Sequence, residues 1–336
     1  MSCEVLSTHT PALFRTAVGI AVERLKSGDL VGLPTETVYG LAANALSTEA
    51  VSQIYKIKGR PAHNPIIVHV ADVAMARTCV KEWTESAERL ARAFWPGPLT
   101  MVLPRSSLIP DIVTADGETV GIRWPGHPFM QQVIRACGFP LAAPSANRSN
   151  EISPTNAEHV RRSLGNRLKL IVDGGQSQVG IESTVVDLTG AAPRILRPGM
   201  IHEESLLATL GQLREPGHDE SGPLRSPGQL PRHYAPKGTL TAFAWNSTED
   251  LLAQTGTAGI DPVRTTVICH THIPSPEGWM SIHVIPHDAE AYARALYAEL
   301  HRCDEDGARW IIIEAVPETA EWKGISDRLR RAATPA

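Results

Sequence analysis

Residues 31–41 read VGLPTETVYGL, and this stretch decides how the first part of the chain is interpreted. Together with Leu30, its first three residues form a short apolar run, which is typical of a buried strand. Thr35, Glu36 and Thr37 follow, so two hydroxyls and a carboxylate lie just beyond the strand. Because α/β proteins place ligands at the carboxyl ends of strands, we expect a site here that hydrogen-bonds an ammonium or hydroxyl group. Capping or turn formation is a comparable explanation.

Helix and strand signals alternate on both sides of this stretch. Thr10 with Pro11 predicts the start of a helix that ends at Gly28, and Ser47 predicts the cap of a second helix that ends at Gly59. The other predicted elements are helices over 85–95 and 128–137, strands over 66–70, 99–103, 119–124, 168–172, 183–188 and 194–196, and a capping box formed by Thr155 and Glu158. Many strands and fewer helices predict an α/β domain with mixed parallel and antiparallel pairing.

The chain has 336 residues, about twice the usual length of one domain, which favours two domains. Residues 214–238 are rich in proline, glycine, serine and charge and lack periodicity, which is typical of a linker. After it, apolar strands alternate with helices such as 289–302, as in a small doubly wound α/β domain. We therefore predict domains over 1–213 and 239–336, joined by a linker over 214–238.

Composition limits the possible partners. There are 32 Lys and Arg residues against 36 Asp and Glu, for a net charge of -4, so no overall field attracts nucleic acid or an anionic membrane. A polyanion must bind in a local pocket. The five cysteines are scattered without a C-x-x-C pair, and residues near Glu4 lack the pattern of a signal peptide. We expect a soluble cytoplasmic protein without disulfides or a zinc knuckle.

Several charged and polar residues lie where elements end. Lys58 and Arg60 flank a helix-ending glycine and could converge on an anion, but basic residues also complement the dipole at helix C-termini. Ser145 and Asn147 follow an apolar strand and could orient oxygens of a ligand, or simply form a polar turn. Arg197 ends another strand, where a buried anion or a surface ion pair would be reasonable.

Three histidines are interpreted as structural. His69 lies within an apolar strand, which favours a core histidine with satisfied hydrogen bonds over a catalytic base. His270 and His272 lie in Cys269-His270-Thr271-His272, which resembles a metal cluster but has no further ligand pair at suitable spacing. We therefore predict no metal site made by the protein.

Taken together, the motifs resemble the YrdC-like family in a form with two domains. The motifs occur in this order: PTETVYGL at 34–41, KGRP at 58–61 with Asn64-Pro65, WPGPLT at 95–100, APSAN at 143–147, EST at 182–184, LRPG at 196–199, SPG at 226–228 and HYAP at 233–236. The resemblance implies a twisted open mixed-sheet domain with a positively charged cavity, joined to a smaller Rossmann-like domain.

The reaction that the resemblance implies is a nucleotidyl transfer. L-Threonine, bicarbonate and ATP would give threonylcarbamoyl-AMP and pyrophosphate, with Mg²⁺ held mainly by the phosphates and water. The product would pass to a threonylcarbamoyl-transferase complex for tRNA modification. The implied catalytic residues are Lys58 and Arg60. The implied ATP-binding residues are Lys58, Arg60, Ser145, Asn147, Arg197 and, in the linker as a lid, Tyr234. The implied threonine-binding residues are Thr35, Thr119, Arg123, Ala143 and Ser183.

Two other functions remain open from the sequence. A carbamoyl-adenylate-processing enzyme would use a related domain, although such proteins carry zinc-finger and acylphosphatase-like regions that are missing here. A non-catalytic RNA-binding module would use the basic cavity of the fold. The acidic net charge and the lack of interleaved aromatic and basic residues weigh against stable nucleic-acid binding.

Overall fold

The computed structural model describes residues 3–214 and 233–333, which form two compact units. The first unit contains residues 3–149 and 153–214, and the second contains residues 150–152 and 233–333. Residues 233–238, placed in the linker by the sequence, lie in the second unit. Most of the predicted linker, including the SPG motif, lies outside the described residues.

The first unit contains ten described strands and eight described helices. The strands are β1 Glu4–Ser7, β2 Val31–Leu33, β3 Gly40–Asn44, β4 Val68–His69, β5 Leu99–Pro104, β6 Thr119–Arg123, β7 Leu141–Ala142, β8 Leu170–Asp173, β9 Thr184–Asp187 and β10 Arg194–Arg197. The helices are α1 Pro11–Lys26, α2 Thr48–Lys58, α3 Val73–Thr78, α4 Glu85–Phe94, α5 Asp111–Thr114, α6 Pro128–Cys137, α7 Ala157–Leu164 and α8 Glu203–Leu210.

Local signals set the ends of several helices as the sequence predicts. The side chains of Thr10 and Ser47 accept hydrogen bonds from backbone N–H groups in the first turns of α1 and α2. Gly59 ends α2 with a φ of 62°, a left-handed conformation that glycine adopts without a Cβ penalty. The predicted capping box was wrong, because Asn156 caps α7 by accepting from the backbone N–H of His159.

The ten strands form one mixed sheet in the order β1-β8-β2-β3-β7-β4-β6-β5-β9-β10. β4 pairs in parallel with β6, while β5 with β6 and β3 with β7 are antiparallel. The predicted mixed α/β fold is confirmed. The strand predicted over 66–70 is shorter than expected, because only Val68 and His69 keep strand geometry between the turns on either side.

The two faces of this sheet have different surroundings. On one face, alternate residues such as Val120 and Ile122 of β6 join an apolar core. On the other face, helices α1 and α6 cover the part of the sheet near Leu141 with a second apolar core. Register places His69 directly opposite Leu141 on one side and Arg123 on the other, so all three share this second face. The second face thus changes from apolar to polar between β7 and β6.

The second unit contains a smaller, parallel sheet of four described strands. Its strands are β11 Thr239–Phe243, β12 Thr265–Cys269, β13 Ser281–Val284 and β14 Trp310–Glu314, in the order β11-β14-β12-β13, and its helices are α9 Thr248–Thr257, α10 Ala289–Glu305 and α11 Lys323–Ala332. Each neighbouring pair of these strands is parallel; α9 lies in the connection from β11 to β12 and α10 in the connection from β13 to β14, whereas β12 and β13 are joined by a segment without a helix. The predicted Rossmann-like α/β domain is confirmed.

Candidate active site

Thr35 lies in the loop between β2 and β3, among the polar residues of the first unit. The Thr35 hydroxyl donates to the carbonyl of Val38 at 2.6 Å and lies 2.9 Å from the hydroxyl of Thr37. Gly40 then starts β3, where a Cβ would lie 3.3 Å from the Cβ of Ala143. The absence of a side chain at Gly40 therefore lets the chain segments approach closely, and Thr35 and Ala143 both lie beside Gly40.

Arg123, at the end of β6, is the central cation on the polar face. It is 4% exposed, and its Nη1 donates to the Thr37 hydroxyl at 2.8 Å while its Nε donates to the carbonyl of Gly97 at 3.3 Å. Its Nη2 lies 2.7 Å from Oε1 of Glu36. The structure thus brings Arg123 to the PTET segment, residues 34–37, since Thr37 lies 86 residues earlier in the sequence. An arginine fork in this position can bind a carboxylate.

A second buried arginine, Arg197 at the end of β10, contacts Ser183, which directly precedes β9. Arg197 is 3% exposed, and it donates from Nε to the carbonyl of Ser183 and from Nη2 to the Ser183 hydroxyl, both at 3.1 Å. The same hydroxyl lies 2.8 Å from the hydroxyl of Thr100 on β5. The structure therefore groups Ser183 with Arg197, and adds Thr100, which sequence reasoning left out of the site.

Lys58, the last residue of α2, ties down the loop that follows β7. Its Nζ donates to the carbonyl oxygens of Ser145 and Asn147 at 2.6 and 2.5 Å, and lies 3.4 Å from Oδ1 of Asn147. Lys58 and Asn147 are both buried. Three of the four predicted ATP residues of this region therefore meet at one ammonium group, which fixes the shape of the loop.

Arg60 bonds to the segment just after it. Its Nε donates to the Asn64 carbonyl at 3.0 Å, and its Nη2 donates to Oδ1 of Asn64 at 2.7 Å and to the Pro65 carbonyl at 2.6 Å. Arg60 is 8% exposed. These bonds explain why Asn64 and Pro65 accompany the KGRP motif, because they hold the guanidinium in one orientation.

His69 lies beside Arg123 through the pairing of β4 with β6. It is buried, as expected for a core histidine, but its Nδ1 has no hydrogen-bond partner within the described residues, so its hydrogen bonds are only partly satisfied there. Burial, reinforced by the positive charge of Arg123, lowers the pKa of His69 to about 3. His69 is therefore a neutral polar group next to the site at physiological pH.

Two predicted residues lie apart from these clusters. Thr119 shares a strand and a face with Arg123 but lies four residues earlier, about 13 Å along the strand. Gly121 lies between them. Its lack of a side chain makes room for the Thr100 methyl group, because a Cβ at Gly121 would lie 3.3 Å from that methyl. Tyr234 lies in the second unit, where it is buried against Tyr297 and below the guanidinium of Arg328. Their proposed roles stay predictions.

Comparison with known proteins identifies the family. A family model named Sua5_yciO_yrdC and described as "Telomere recombination" matches residues 23–199, and one described as "Threonylcarbamoyl-AMP synthase, C-terminal domain" matches residues 201–334. The chain belongs to this Sua5/YciO/YrdC family of α/β proteins, as the sequence motifs predict, and it is an enzyme of the two-domain form.

The relatives resemble the chain over nearly all of its length. The threonylcarbamoyl-AMP synthase of Pyrococcus abyssi is 37% identical over 324 residues, covering 94% of this chain and 93% of the relative. That of Bacillus subtilis is 39% identical over 340 residues, covering 98% and 94%. The crystal structure of P. abyssi Sua5 complexed with L-threonine matches with a TM-score of 0.87 and 35% identity, covering 99% of this chain and 98% of that one.

Two features are absent from the part of the chain that the structure describes. No described helix is long and apolar enough to cross a membrane. Within residues 3–214 and 233–333, no group of three or more His, Cys, Asp and Glu side chains is arranged to hold a metal ion.

Sequence reasoning missed three residues that the structure brings to the polar face. Glu36 was included in the polar segment after β2 but was not among the residues assigned to a ligand, and His69 was assigned to the core. Thr100 ends the WPGPLT motif, and this was a signal that could have included it. Glu36 carried a weaker signal, since one carboxylate in a loop has many explanations.

Proposed function

We propose that this chain is an L-threonylcarbamoyladenylate synthase, a nucleotidyltransferase that uses L-threonine, bicarbonate and ATP and releases pyrophosphate. The observation that carries the proposal is the burial of Arg123 and Arg197 on one polar part of the sheet, among the hydroxyls of Thr37, Ser183 and Thr100. Buried cations with hydroxyl neighbours suit ligands that carry carboxylate and phosphate groups.

Threonine would bind on the side of Arg123. The guanidinium would take the α-carboxylate, and the loop with Thr35 and Thr37 would provide hydroxyls for hydrogen bonding. Ala143 would limit the space beside the Thr35 loop, since its Cβ lies close to Gly40. Ser183 and Thr119 are proposed to complete the threonine site by family resemblance. The P. abyssi Sua5 structure complexed with L-threonine supports this substrate.

ATP would bind around Lys58, Arg60 and Arg197. Lys58 holds the loop that carries Ser145 and Asn147, so it would present their polar groups to phosphate oxygens in a fixed arrangement. Tyr234 would cover the nucleotide as a lid, and Mg²⁺ would accompany the triphosphate, bound mainly by phosphates and water.

The proposed chemistry has two balanced steps. The amine of threonine attacks the carbon of bicarbonate, which forms a carbamate and releases water. A carbamate oxygen then attacks the α-phosphorus of ATP, and pyrophosphate leaves as the P–O bond to it breaks. An anion must approach a polyanion in the second step, so cations are needed to stabilise the charge that develops on the phosphates.

The product would be passed to a threonylcarbamoyl-transferase complex for tRNA modification, without stable binding of nucleic acid by this chain. The five cysteines are free, which supports a reducing compartment such as the cytoplasm.

The test measures pyrophosphate release from ATP by the full chain, omitting threonine or bicarbonate in turn, and follows capture of labelled bicarbonate in an adenylate. Release that requires both supports the proposal. Release without threonine would favour a carbamoyl-adenylate-processing enzyme. Tight, strongly salt-dependent RNA binding without release would favour the RNA-binding module.

A lysine pair on α2 offers a matched control for the ATP site. Lys58→Met should lower pyrophosphate release by about tenfold or more, because the loop with Ser145 and Asn147 loses its charged hydrogen bonds. Lys56→Met removes the same charge from an exposed position two residues earlier and should leave the rate within about twofold. Equal rates for both variants would contradict the role of Lys58.

A further inference from the structure

Glu36 has an unusual environment for a carboxylate in this chain. Its side chain is 13% exposed, between the two threonines of the PTET segment, and its backbone carbonyl accepts from the N–H of Val179 at 2.7 Å. Within the described residues, neither side-chain oxygen accepts a well-formed hydrogen bond, although Oε1 lies 2.7 Å from Nη2 of Arg123. That Nη2 likewise donates no well-formed hydrogen bond there.

Such an arrangement leaves hydrogen-bonding capacity on both sides of the ion pair. An ionised carboxylate offers about four acceptor sites, and buried polar groups in proteins are normally satisfied. Leaving them unsatisfied is costly, more so for a charged group. Since Arg123 is anchored by Thr37 and Gly97, the pair is held in place, and the buried Oε1 and Oε2 of Glu36 and Nη2 of Arg123 still lack hydrogen bonds that a ligand entering beside them could form.

The two histidines beside the pair are uncharged at physiological pH. His127, which caps α6 near Glu36, has its pKa lowered by burial even though the Glu36 charge opposes that shift. The pKa of His69, beside Arg123, is lowered to about 3 by burial and by the arginine. Both imidazoles are neutral at pH 7, so they add no charge to the carboxylate and the guanidinium of the pair itself. A ligand with one ammonium and one carboxylate group complements this pair.

We propose that Glu36 is a specificity-determining residue that accepts hydrogen bonds from the α-ammonium group of the substrate while Arg123 binds its α-carboxylate. The pair would thus select a free α-amino acid and reject a carboxylic acid that lacks the ammonium group. This inference rests on the proposed function, which places threonine at Arg123.

Two ligands separate this role from a purely structural one. L-Threonine carries both charges, whereas β-hydroxybutyrate of matching configuration keeps the carboxylate and the hydroxyl but lacks the ammonium group. If Glu36 binds the ammonium, Glu36→Gln weakens threonine alone. It leaves β-hydroxybutyrate unchanged or tighter, because a negative charge next to its carboxylate is removed. If Glu36 only orients Arg123, the same variant weakens both ligands.

The experiment is calorimetric titration of both ligands into the full chain and the Glu36→Gln variant, without ATP. We expect the variant to lose about tenfold or more in threonine affinity, as for a charge-assisted hydrogen bond, and to keep β-hydroxybutyrate affinity within about twofold or improve it. Equal loss of both ligands, or unchanged threonine affinity, would overturn the inference while leaving the proposed function standing. A wild-type chain that binds no threonine would overturn both.

Two further variants are controls, one for loss of a negative charge elsewhere on the chain and one for side-chain length. Glu118→Gln removes the same charge from a glutamate whose side chain is 81% exposed, and both affinities should match those of the wild type. Glu36→Asp keeps the charge on a shorter side chain, so it should retain a preference for threonine over β-hydroxybutyrate even if both affinities fall. Loss of that preference in Glu36→Asp would count against recognition by charge.

Discussion

Glu36 in the first unit and Asp327 in the second are both largely buried carboxylates beside an arginine, but their hydrogen bonding differs. Asp327 Oδ2 accepts from Nη1 of the fully buried Arg328 at 3.0 Å, and Oδ1 accepts from Arg330 at 2.9 Å and from Arg331 at 3.0 Å. Glu36 accepts no well-formed hydrogen bond within the described residues. One carboxylate is saturated by its own helix, and the other keeps acceptor capacity.

The difference separates a structural ion pair from one suited to binding. Burial would raise the pKa of Asp327, but the charge of Arg328 and the hydrogen bond from Arg331 outweigh burial and hold that pKa below its usual value. A saturated pair of this kind has nothing further to offer a ligand. An unsaturated pair next to hydroxyl groups has hydrogen-bonding capacity left for a ligand, so part of its energetic effect is expected to appear on binding.

The largest effect is expected at Asp327. Asp327→Asn removes the negative charge that lies 3.0 Å from the buried guanidinium of Arg328, and the free energy of unfolding of the second unit should fall by about 3–5 kcal/mol. Urea denaturation of the full chain measures this. Asp306→Asn, at a residue whose side chain is 45% exposed, should change stability by less than about 0.5 kcal/mol. Similar effects of both variants would show that the buried Asp327 contributes no more to stability than an exposed aspartate.

The pH dependence of unfolding gives a second readout of Asp327. Because its folded-state pKa is lowered, its stabilisation is complete above the unfolded-state pKa of about 3.9 and is lost as pH falls through the lower folded-state pKa. The wild type should therefore lose stability below about pH 4, and Asp327→Asn should show a smaller loss over the same range. Parallel pH profiles would contradict the assignment.

An intermediate effect is expected at Arg123. Arg123→Lys keeps a positive charge beside Glu36 but loses the planar fork that reaches Thr37 and Gly97, so the KM for threonine should rise by about tenfold or more. The unfolding midpoint should stay near that of the wild type. Arg92→Lys, whose side chain is 80% exposed, is the control and should leave both quantities unchanged. A large drop in stability without a change in KM would make Arg123 a structural residue.

The smallest effect is expected at an exposed carboxylate. Glu158 has a side chain that is 41% exposed and forms ion pairs with Arg161 at 2.6 Å and Arg162 at 2.8 Å on α7. The hydrogen bond from Arg161 outweighs the opposing effect of burial and, with Arg162, lowers the pKa of Glu158 to about 2. Because water screens such pairs, Glu158→Gln should cost about 0.5 kcal/mol or less in denaturation at pH 7. A cost above about 1 kcal/mol would show that side-chain exposure does not predict how much each of these carboxylates contributes to stability.

The sequence alone determined the features that depend on neighbouring residues. Thr10 and Ser47 cap their helices and Gly59 ends α2, because capping acts between residues three or four apart. Short ordered motifs were also sufficient to predict the family, the mixed α/β fold and the polar loop after β2. Where two caps were close together, as with Thr155 and Asn156, local rules chose the wrong one.

Only the tertiary structure decided which of these residues meet. Arg123 reaches Thr37 across 86 residues and Arg197 reaches Ser183 across the β9–β10 pair, and both contacts depend on strand order and register. Register also places His69 beside Arg123 and turns one face of the sheet from apolar to polar. A one-residue shift in pairing would move these side chains to the opposite face. Long-range pairing is set by the packing of the whole sheet, so no local pattern could predict that Glu36 and Arg123 form one pair.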